Sequence, residues 1–221
     1  MFRTSKIFKL GALLSLTMLA VLSFCSNISI IHAHSTSQNS QNLEIYQDIG
    51  GNFTLLSSNN QNISLNDFQG KVVLLFFGFT ACPDTCPITL SKLQRVMAKL
   101  DPLKPVQQLF ITVDPKRDNP EQLKSFLSTF NFNIIGLTGT EEEILHVAEL
   151  YGSAYMKNPT INSETSYLMI HTGYVYLIDK QGQVREIYPQ DTEEIQIIEG
   201  IRQLLADICN KNLPLRFSII L

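Results

Sequence analysis

The run KVVLLFF, residues 71–77, is the feature that most constrains how this chain folds. Its β-branched and aromatic residues favour a strand, and the lack of polar alternation predicts that both faces of this strand are buried. A second buried strand is predicted at residues 108–113, with the sequence QLFITV. A sheet built from such strands needs helices over both faces, so the two runs together indicate an α/β domain.

Helical and shorter strand signals alternate around these two runs. The helix signals are Leu90, Leu93, Met97 and Leu100 at helical spacing, Asn119 as the N-cap before Pro120, Thr140 with Glu143 as a capping box, and Asp191 with Glu194 as the cap of a last helix. The strand signals are residues 53–56 and 63–65 around a polar turn, 133–137, and 174–178 paired with 184–188 around Gly182. This order predicts a central mixed sheet with helices on both faces and an N-terminal β-hairpin, which is the thioredoxin-like arrangement.

The N-terminal segment has the layout of an export signal. Residues 10–31 carry no charge and follow the basic residues Arg3, Lys6 and Lys9. The uncharged stretch also has about the length, roughly 20 residues, that a membrane-spanning helix needs. Residues 1–34 are therefore predicted to be a signal peptide or an N-terminal membrane anchor, and either one places the rest of the chain outside the cytoplasm.

The type of export signal narrows the expected location. A lipoprotein site at Cys25 is disfavoured, because Phe24 stands where that motif needs a small residue. A mitochondrial transit peptide is disfavoured because it would be richer in arginine. We therefore expect a bacterial envelope protein, either anchored in the inner membrane with its domain on the periplasmic side or exported.

One domain is expected after this segment. Residues 35–43 are predicted to be a polar linker, residues 44–209 the domain, and residues 210–221 a C-terminal tail without an assigned role. Cys209 is interpreted as a small apolar filler. Without the three N-terminal basic residues the chain has 14 basic and 20 acidic residues, and this acidic balance argues against nucleic acid as a partner.

Two cysteines, Cys82 and Cys86, follow the first buried strand in the loop CPDTCP. If a helix starts in this loop, their i, i+4 spacing brings both sulfurs to one side. The N–H groups and partial positive charge of a helix N-terminus favour the thiolate, which attacks disulfides and binds metals. A simple disulfide is the alternative for an exported protein. Inert core cysteines are disfavoured, because two prolines flank this pair on a loop.

The spacing of the cysteines and the histidines favours a metal site. Three residues between the cysteines leave more room for an ion than the C-x-x-C of redox sites. Two thiolates are too few for a closed zinc site, but with one imidazole they form a soft set suited to Cu(I). His171 is the best candidate, because in a thioredoxin-like fold the loop before the strand at 174–178 lies beside the cysteine loop. His32 and His34 are interpreted as residues of a solvated linker, and His146 as a surface or partly buried helix residue.

Three motifs occur in order: GFTACPDTCP at 78–87, TVDP at 112–115 with RDNP at 117–120, and HT at 171–172 followed by YLID at 176–179. Together they resemble the Sco/SenC family of copper proteins, over about residues 44–207. The chain departs from the family pattern at Ala81, where many relatives carry a polar residue or histidine, and this removes no ligand.

This resemblance implies a thioredoxin-like domain, tethered to a membrane, that binds one copper ion through Cys82, Cys86 and His171. Asp114 resembles the acidic residue that the family places near its site, and a turn or cap residue before Pro115 is the alternative. The oxidation state of the copper, Cu(I) or Cu(II), stays open. The family assembles the copper centre of cytochrome c oxidase by delivering copper, by reducing target cysteines, or both, which implies the copper-accepting subunit of a terminal oxidase as partner.

Two functions compete for these residues. A copper-binding assembly factor is a carrier, not an enzyme, and needs His171 to close its site. A thiol–disulfide oxidoreductase needs only Cys82 and Cys86. A peroxiredoxin is disfavoured, because neither cysteine has the proline and the threonine or serine that this class carries seven and three residues before its reactive cysteine.

Overall fold

The computed structural model describes residues 43–131, 133–158 and 167–206. In chain order its elements are β1 (Thr54–Ser57), β2 (Asn62–Ser64), a 3-10 turn (Leu65–Phe68), β3 (Val72–Gly78), α1 (Thr85–Ala98), β4 (Val106–Thr112), α2 (Pro120–Leu127), β5 (Ile134–Thr138), α3 (Glu141–Leu150), β6 (Tyr155–Lys157), β7 (Met169–His171), β8 (Val175–Ile178), β9 (Val184–Tyr188) and α4 (Glu194–Ala206). Each predicted strand is found within two residues of its predicted bounds.

Seven strands form the central sheet in the order β2-β1-β5-β4-β3-β8-β9. The strands β3, β4 and β5 run parallel, whereas β1, β8 and β9 add antiparallel neighbours. The sheet is therefore mixed and begins with the predicted hairpin, so the thioredoxin-like prediction is confirmed. The strands β6 and β7 form a separate two-stranded ribbon that the sequence did not predict.

Helices cover both faces of β3, and every residue of that strand is buried. On one face the Phe76 ring lies 6.0 Å from that of Phe110, which lies 6.0 Å from the Phe126 ring of α2. On the other face the Phe77 ring lies 6.0 Å from that of Tyr151, the residue that follows α3. Alternate side chains of one strand thus pack against helices on opposite sides, as its unbroken apolar sequence predicts.

Two of the predicted helix starts are confirmed. Asn119 accepts a hydrogen bond from the N–H of Gln122, and Pro120 occupies the first turn of α2. Thr140 and Glu143 form the predicted capping box at the start of α3. In both cases a short polar side chain accepts a hydrogen bond from an N–H group of the first turn, which has no carbonyl acceptor within the helix.

The predicted cap of the last helix is wrong. Helix α4 begins at Glu194, so this residue lies in the first turn and cannot complete a cap with Asp191. The Glu194 carboxylate instead accepts hydrogen bonds from Arg95 Nε at 2.6 Å and Lys99 Nζ at 2.7 Å. It therefore fastens α4 to α1, a long-range role that an i, i+3 pattern does not indicate.

Several predictions concern residues outside the described ranges. They are the signal or anchor at 1–34 with Cys25, His32 and His34, the linker up to residue 42, and Cys209 with the tail at 210–221. Among the described residues, no helix combines the length and apolar character that crossing a bilayer requires.

Candidate metal centre

The topology of the sheet brings the cysteine loop and the histidine to the same end of its central strands. The parallel strands β3 and β4 end together, with Gly78 opposite Thr112. The strand β8 runs antiparallel to β3, with Phe76 opposite Val175, so β8 begins where β3 ends. The loop after β3 and the segment that leads into β8 are therefore neighbours, although they are far apart in sequence.

The two cysteines lie where the loop after β3 enters α1. Both are free thiols; Cys82 is half-buried and Cys86 is buried. The helix begins at Thr85, and its N-cap residue Asp84 makes no side-chain capping bond. The free N–H of Cys86 instead donates to Cys82 Sγ at 3.4 Å. The sulfur of Cys82 thus receives a donor from the positive end of the helix, as the sequence predicted.

The pKa values of the two thiols are shifted in opposite directions. The Cys86 thiol donates a hydrogen bond to Cys82, and this contact, with further bonds from the backbone N–H groups of Cys86 and Asp84, lowers the pKa of Cys82 to about 4 despite its burial. The same contact with Cys82, together with burial, raises the pKa of Cys86 far above its usual range. The metal-free pair therefore holds one thiolate and one thiol, with the charge on the more accessible sulfur.

His171 ends β7, and its imidazole is held in a fixed orientation. Its Nδ1 lies 3.0 Å from the carbonyl oxygen of Thr172, an acceptor, so Nδ1 carries the proton. Its Nε2, the acceptor nitrogen in the neutral form of this tautomer, faces Cys86 Sγ at 3.5 Å. The rings of Phe76 and Phe79 contact the imidazole edge-on, with centroids 6.1 and 5.8 Å away. A histidine ligand needs such a bond at its other nitrogen to fix the tautomer.

Cys82, Cys86 and His171 together form a group that could hold a metal ion, and their ligand atoms all lie within 4.8 Å of one another. Two sulfurs and one imidazole nitrogen make a soft donor set that fits copper in its chemistry. The sequence singled out the same three residues. His146, on α3, is exposed, in agreement with one of its two interpretations, that of a surface helix residue.

Asp114 follows β4 and is only 3% exposed. Its carboxylate accepts hydrogen bonds from Arg117 Nε at 2.5 Å and from the Tyr167 hydroxyl at 2.6 Å. Its backbone carbonyl accepts from the N–H groups of Arg117 and Asp118. Asp114 therefore serves as a turn residue, one of the two predicted roles, and also contacts the segment that precedes β7 and His171.

Asp118 connects the same turn to the cysteine loop. Its buried carboxylate accepts bonds from the N–H and hydroxyl of Thr80 at 2.9 and 2.5 Å, and from the Thr112 hydroxyl at 2.6 Å. Burial raises the pKa of Asp118, and the bonds from Thr112 and Thr80 oppose this shift. A carboxylate at 1% exposure is tolerable only with such partners, so this contact holds Thr80 close to β4.

A comparison with known protein families assigns the chain. The model of the SCO1/SenC family matches residues 42–206. The chain belongs to the SCO1/SenC family. A SCO2-like protein of Rickettsia prowazekii is 36% identical over 159 residues, which make up 70% of this chain and 78% of that protein.

Solved SCO1/SenC structures have the same fold. Arabidopsis thaliana ScoI, crystallised with copper bound, is 33% identical, with a TM-score of 0.64 over 70% of this chain and 97% of that chain. BsSco is described as a member of the Sco family of cytochrome c oxidase assembly proteins in which a disulfide switch was identified. It is 27% identical, with a TM-score of 0.61 over 74% of this chain and 96% of that chain.

Sequence reasoning missed the supports of this SCO1/SenC site. Arg117 and Asp118 belong to the RDNP motif at residues 117–120, which resembles the family pattern, but the motif does not indicate which residues they contact. Thr80 and Asp118 are 38 residues apart, and Asp114 and Tyr167 are 53 apart. Tyr167 has no local signal at all, because a tyrosine before a short strand is also an ordinary core residue.

Proposed function

We propose that this protein binds one copper ion through Cys82 Sγ, Cys86 Sγ and His171 Nε2 and serves in assembling the copper centre of cytochrome c oxidase. The observation that carries the proposal is the convergence of these three donor atoms within 4.8 Å. The copper-bound structure of Arabidopsis ScoI and the description of BsSco as an oxidase assembly protein support it. The partner is then the copper-accepting subunit of a terminal oxidase.

The donor set explains how copper would be held. Thiolates are soft ligands that favour Cu(I), and imidazole suits copper as well. The buried Cys86 must lose its proton when copper binds, so binding releases protons. In the neutral imidazole of His171, the bond from Nδ1–H to the Thr172 carbonyl leaves the lone pair of Nε2 free to bind copper.

The test is an anaerobic copper titration of the purified, reduced protein, with His171→Ala beside it. We expect one tightly held copper per wild-type chain. In His171→Ala the copper affinity should fall by more than about 100-fold, because even loss of a residue that only hydrogen-bonds to a metal ligand lowers metal affinity by about 10–100-fold. His146→Ala is the matched control, because this exposed histidine lies on α3 outside the site. Copper binding that is equal in all three proteins contradicts the proposal.

Thiol–disulfide exchange is the second candidate function, and the unequal burial of the two sulfurs favours it. The half-buried Cys82 would attack a target disulfide as the thiolate and release one target thiolate. The buried Cys86, once deprotonated, would then attack the Cys82 sulfur and release the second target thiolate. The target disulfide gains two electrons, and the Cys82–Cys86 pair becomes the disulfide.

The two functions differ in their need for the histidine. Exchange with oxidised glutathione in the absence of metal should proceed in His171→Ala and stop in Cys82→Ala. If exchange is rapid and copper affinity is indifferent to His171, the oxidoreductase function is favoured. If exchange is slow while copper binds tightly, the carrier function is favoured.

The proposal also places the domain outside the cytoplasm of a bacterial cell. Its support is the uncharged stretch at residues 10–31 behind three basic residues. Protease added to spheroplasts should digest the domain while a cytoplasmic marker protein survives. Survival of both proteins contradicts this location.

A further inference from the structure

His171 belongs to an element that the central sheet does not hold. Among the strands that the structure describes, β6 and β7 pair only with each other, through Tyr155 opposite His171 and Lys157 opposite Met169. Each strand has three residues. A ribbon of this size is marginal by itself, so contacts outside its own ladder must set where the imidazole lies.

Tyr167, two residues before β7, supplies such contacts. Its side chain is 7% exposed, and its hydroxyl donates to the Asp114 carboxylate at 2.6 Å. Arg117 Nη1 donates to the Tyr167 carbonyl at 2.9 Å, and the guanidinium carbon lies 3.8 Å from the centre of the tyrosine ring. Lys157 of β6 places its ammonium 4.5 Å from the same ring. One side chain thereby fastens both strands of the ribbon to the turn after β4.

The same turn also holds the cysteine loop, through the bonds from Thr80 to Asp118. The turn is itself closed, because the Asp114 carbonyl accepts from the N–H groups of Arg117 and Asp118 at 3.1 and 2.9 Å. One end of a rigid turn is therefore bonded to the cysteine side of the site and the other end to the histidine side.

We propose that the turn at residues 114–118 acts as a brace that sets the separation of His171 from the two cysteines, with Tyr167 as the positioning residue of its histidine arm. This inference rests on the proposed copper site but assigns Tyr167 no contact with copper. Asp118 and Thr80 form the cysteine arm. The brace holds the three donors within coordination reach before the ion arrives, so that little ordering remains to be done on binding.

Tyr167→Phe tests the brace, because it deletes only the hydroxyl that reaches Asp114 and leaves the ring beside Arg117. In metal-free protein the amides of Asn158 and Thr172, which donate to the carbonyls of Leu168 and Ala154, report on the ribbon and its junctions. Their hydrogen exchange should become roughly tenfold faster or more, the loss expected for one bond to a charged group, while exchange in β3 and β4 stays unchanged.

Copper binding supplies the second readout. Copper affinity should fall by about 10–100-fold in Tyr167→Phe, and the nitrogen hyperfine signal of Cu(II)-loaded protein should weaken, because His171 is held less firmly. Tyr46→Phe is the matched control; this tyrosine is 40% exposed and should leave both readouts at the wild-type values.

The outcomes separate the brace from the copper site. Wild-type exchange and wild-type affinity in Tyr167→Phe overturn the brace, and so does faster exchange throughout the central sheet, since that result means a general loss of stability. If the wild-type protein itself binds no copper, the proposed function fails. The exchange measurement in metal-free protein still decides then whether Tyr167 positions the ribbon.

Discussion

Gly78, at the end of β3, is a residue whose missing side chain makes room for the site. A Cβ atom there would lie 2.7 Å from the Phe110 ring and 2.8 Å from Cys86 Sγ. Because these neighbours are packed in the core, Gly78→Ala should lower the free energy of unfolding by about 1–3 kcal/mol. It should also displace the Cys86 sulfur and weaken copper binding, which urea unfolding and copper titration measure separately.

Gly136→Ala is the control for this substitution. In β5 an added Cβ would lie 2.8 Å from Leu127 and 3.1 Å from Leu123, so the packing conflict is similar but remote from the cysteines. We expect a comparable loss of stability with unchanged copper affinity. Equal losses of affinity in the two variants, or none in Gly78→Ala, would show that Gly78 does not shape the site.

The acidity of Cys82 predicts the pH dependence of its alkylation. A thiolate reacts and a thiol does not, so the rate at Cys82 should hold as the pH falls and then drop as it passes through about 4. The hydrogen bond from the Cys86 thiol is the largest cause of this low pKa, so the inflection should move to higher pH in Cys86→Ala. Iodoacetamide labelling of metal-free protein, followed by mass spectrometry, measures both. An inflection near the usual value of about 8.5 in wild-type protein contradicts the prediction.

At the scale of elements, the structure agrees with the sequence wherever the signal is local. The apolar run at 71–77 has no polar alternation, and β3 is buried on both faces. The caps at Asn119 and Thr140 rest on side chains that reach N–H groups three residues away, so a short pattern suffices to predict them. Asp191 and Glu194 show the same spacing, but Glu194 accepts hydrogen bonds from Arg95 and Lys99 instead. These are contacts between residues far apart in sequence, so a local pattern does not predict them.

The ribbon of β6 and β7 shows why the rest of the site could not be predicted. Its strands have three residues each, too few for a periodicity to be recognised. The three donor residues could be named because their chemistry is distinctive and their order resembles that of a known family. Their supports could not, because Tyr167, Asp114 and Arg117 meet only after the chain has folded.

At the scale of the whole molecule, the assembly of the site depends on the direction in which β8 runs. A parallel β8 would begin at the opposite edge of the sheet, far from the loop that follows β3. The antiparallel pairing of Phe76 with Val175 instead puts the approach to β8 beside the cysteine loop. The donors therefore come from two distant parts of the chain, and the site is complete only when the sheet is assembled.

One pair of sulfurs serves both candidate chemistries, so we predict that copper and the disulfide exclude each other. Oxidation of Cys82 and Cys86 consumes both thiolates and leaves His171 as a single donor, which is too few to retain copper. Native mass spectrometry of the copper-loaded protein during titration with oxidised glutathione should show each disulfide-linked chain without copper. His171→Ala is the control, because it keeps both sulfurs but holds copper weakly and should therefore oxidise faster under the same copper load. A species that carries copper and the Cys82–Cys86 disulfide together would mean that the ion is held elsewhere, and the carrier and the exchange function could then operate at the same time.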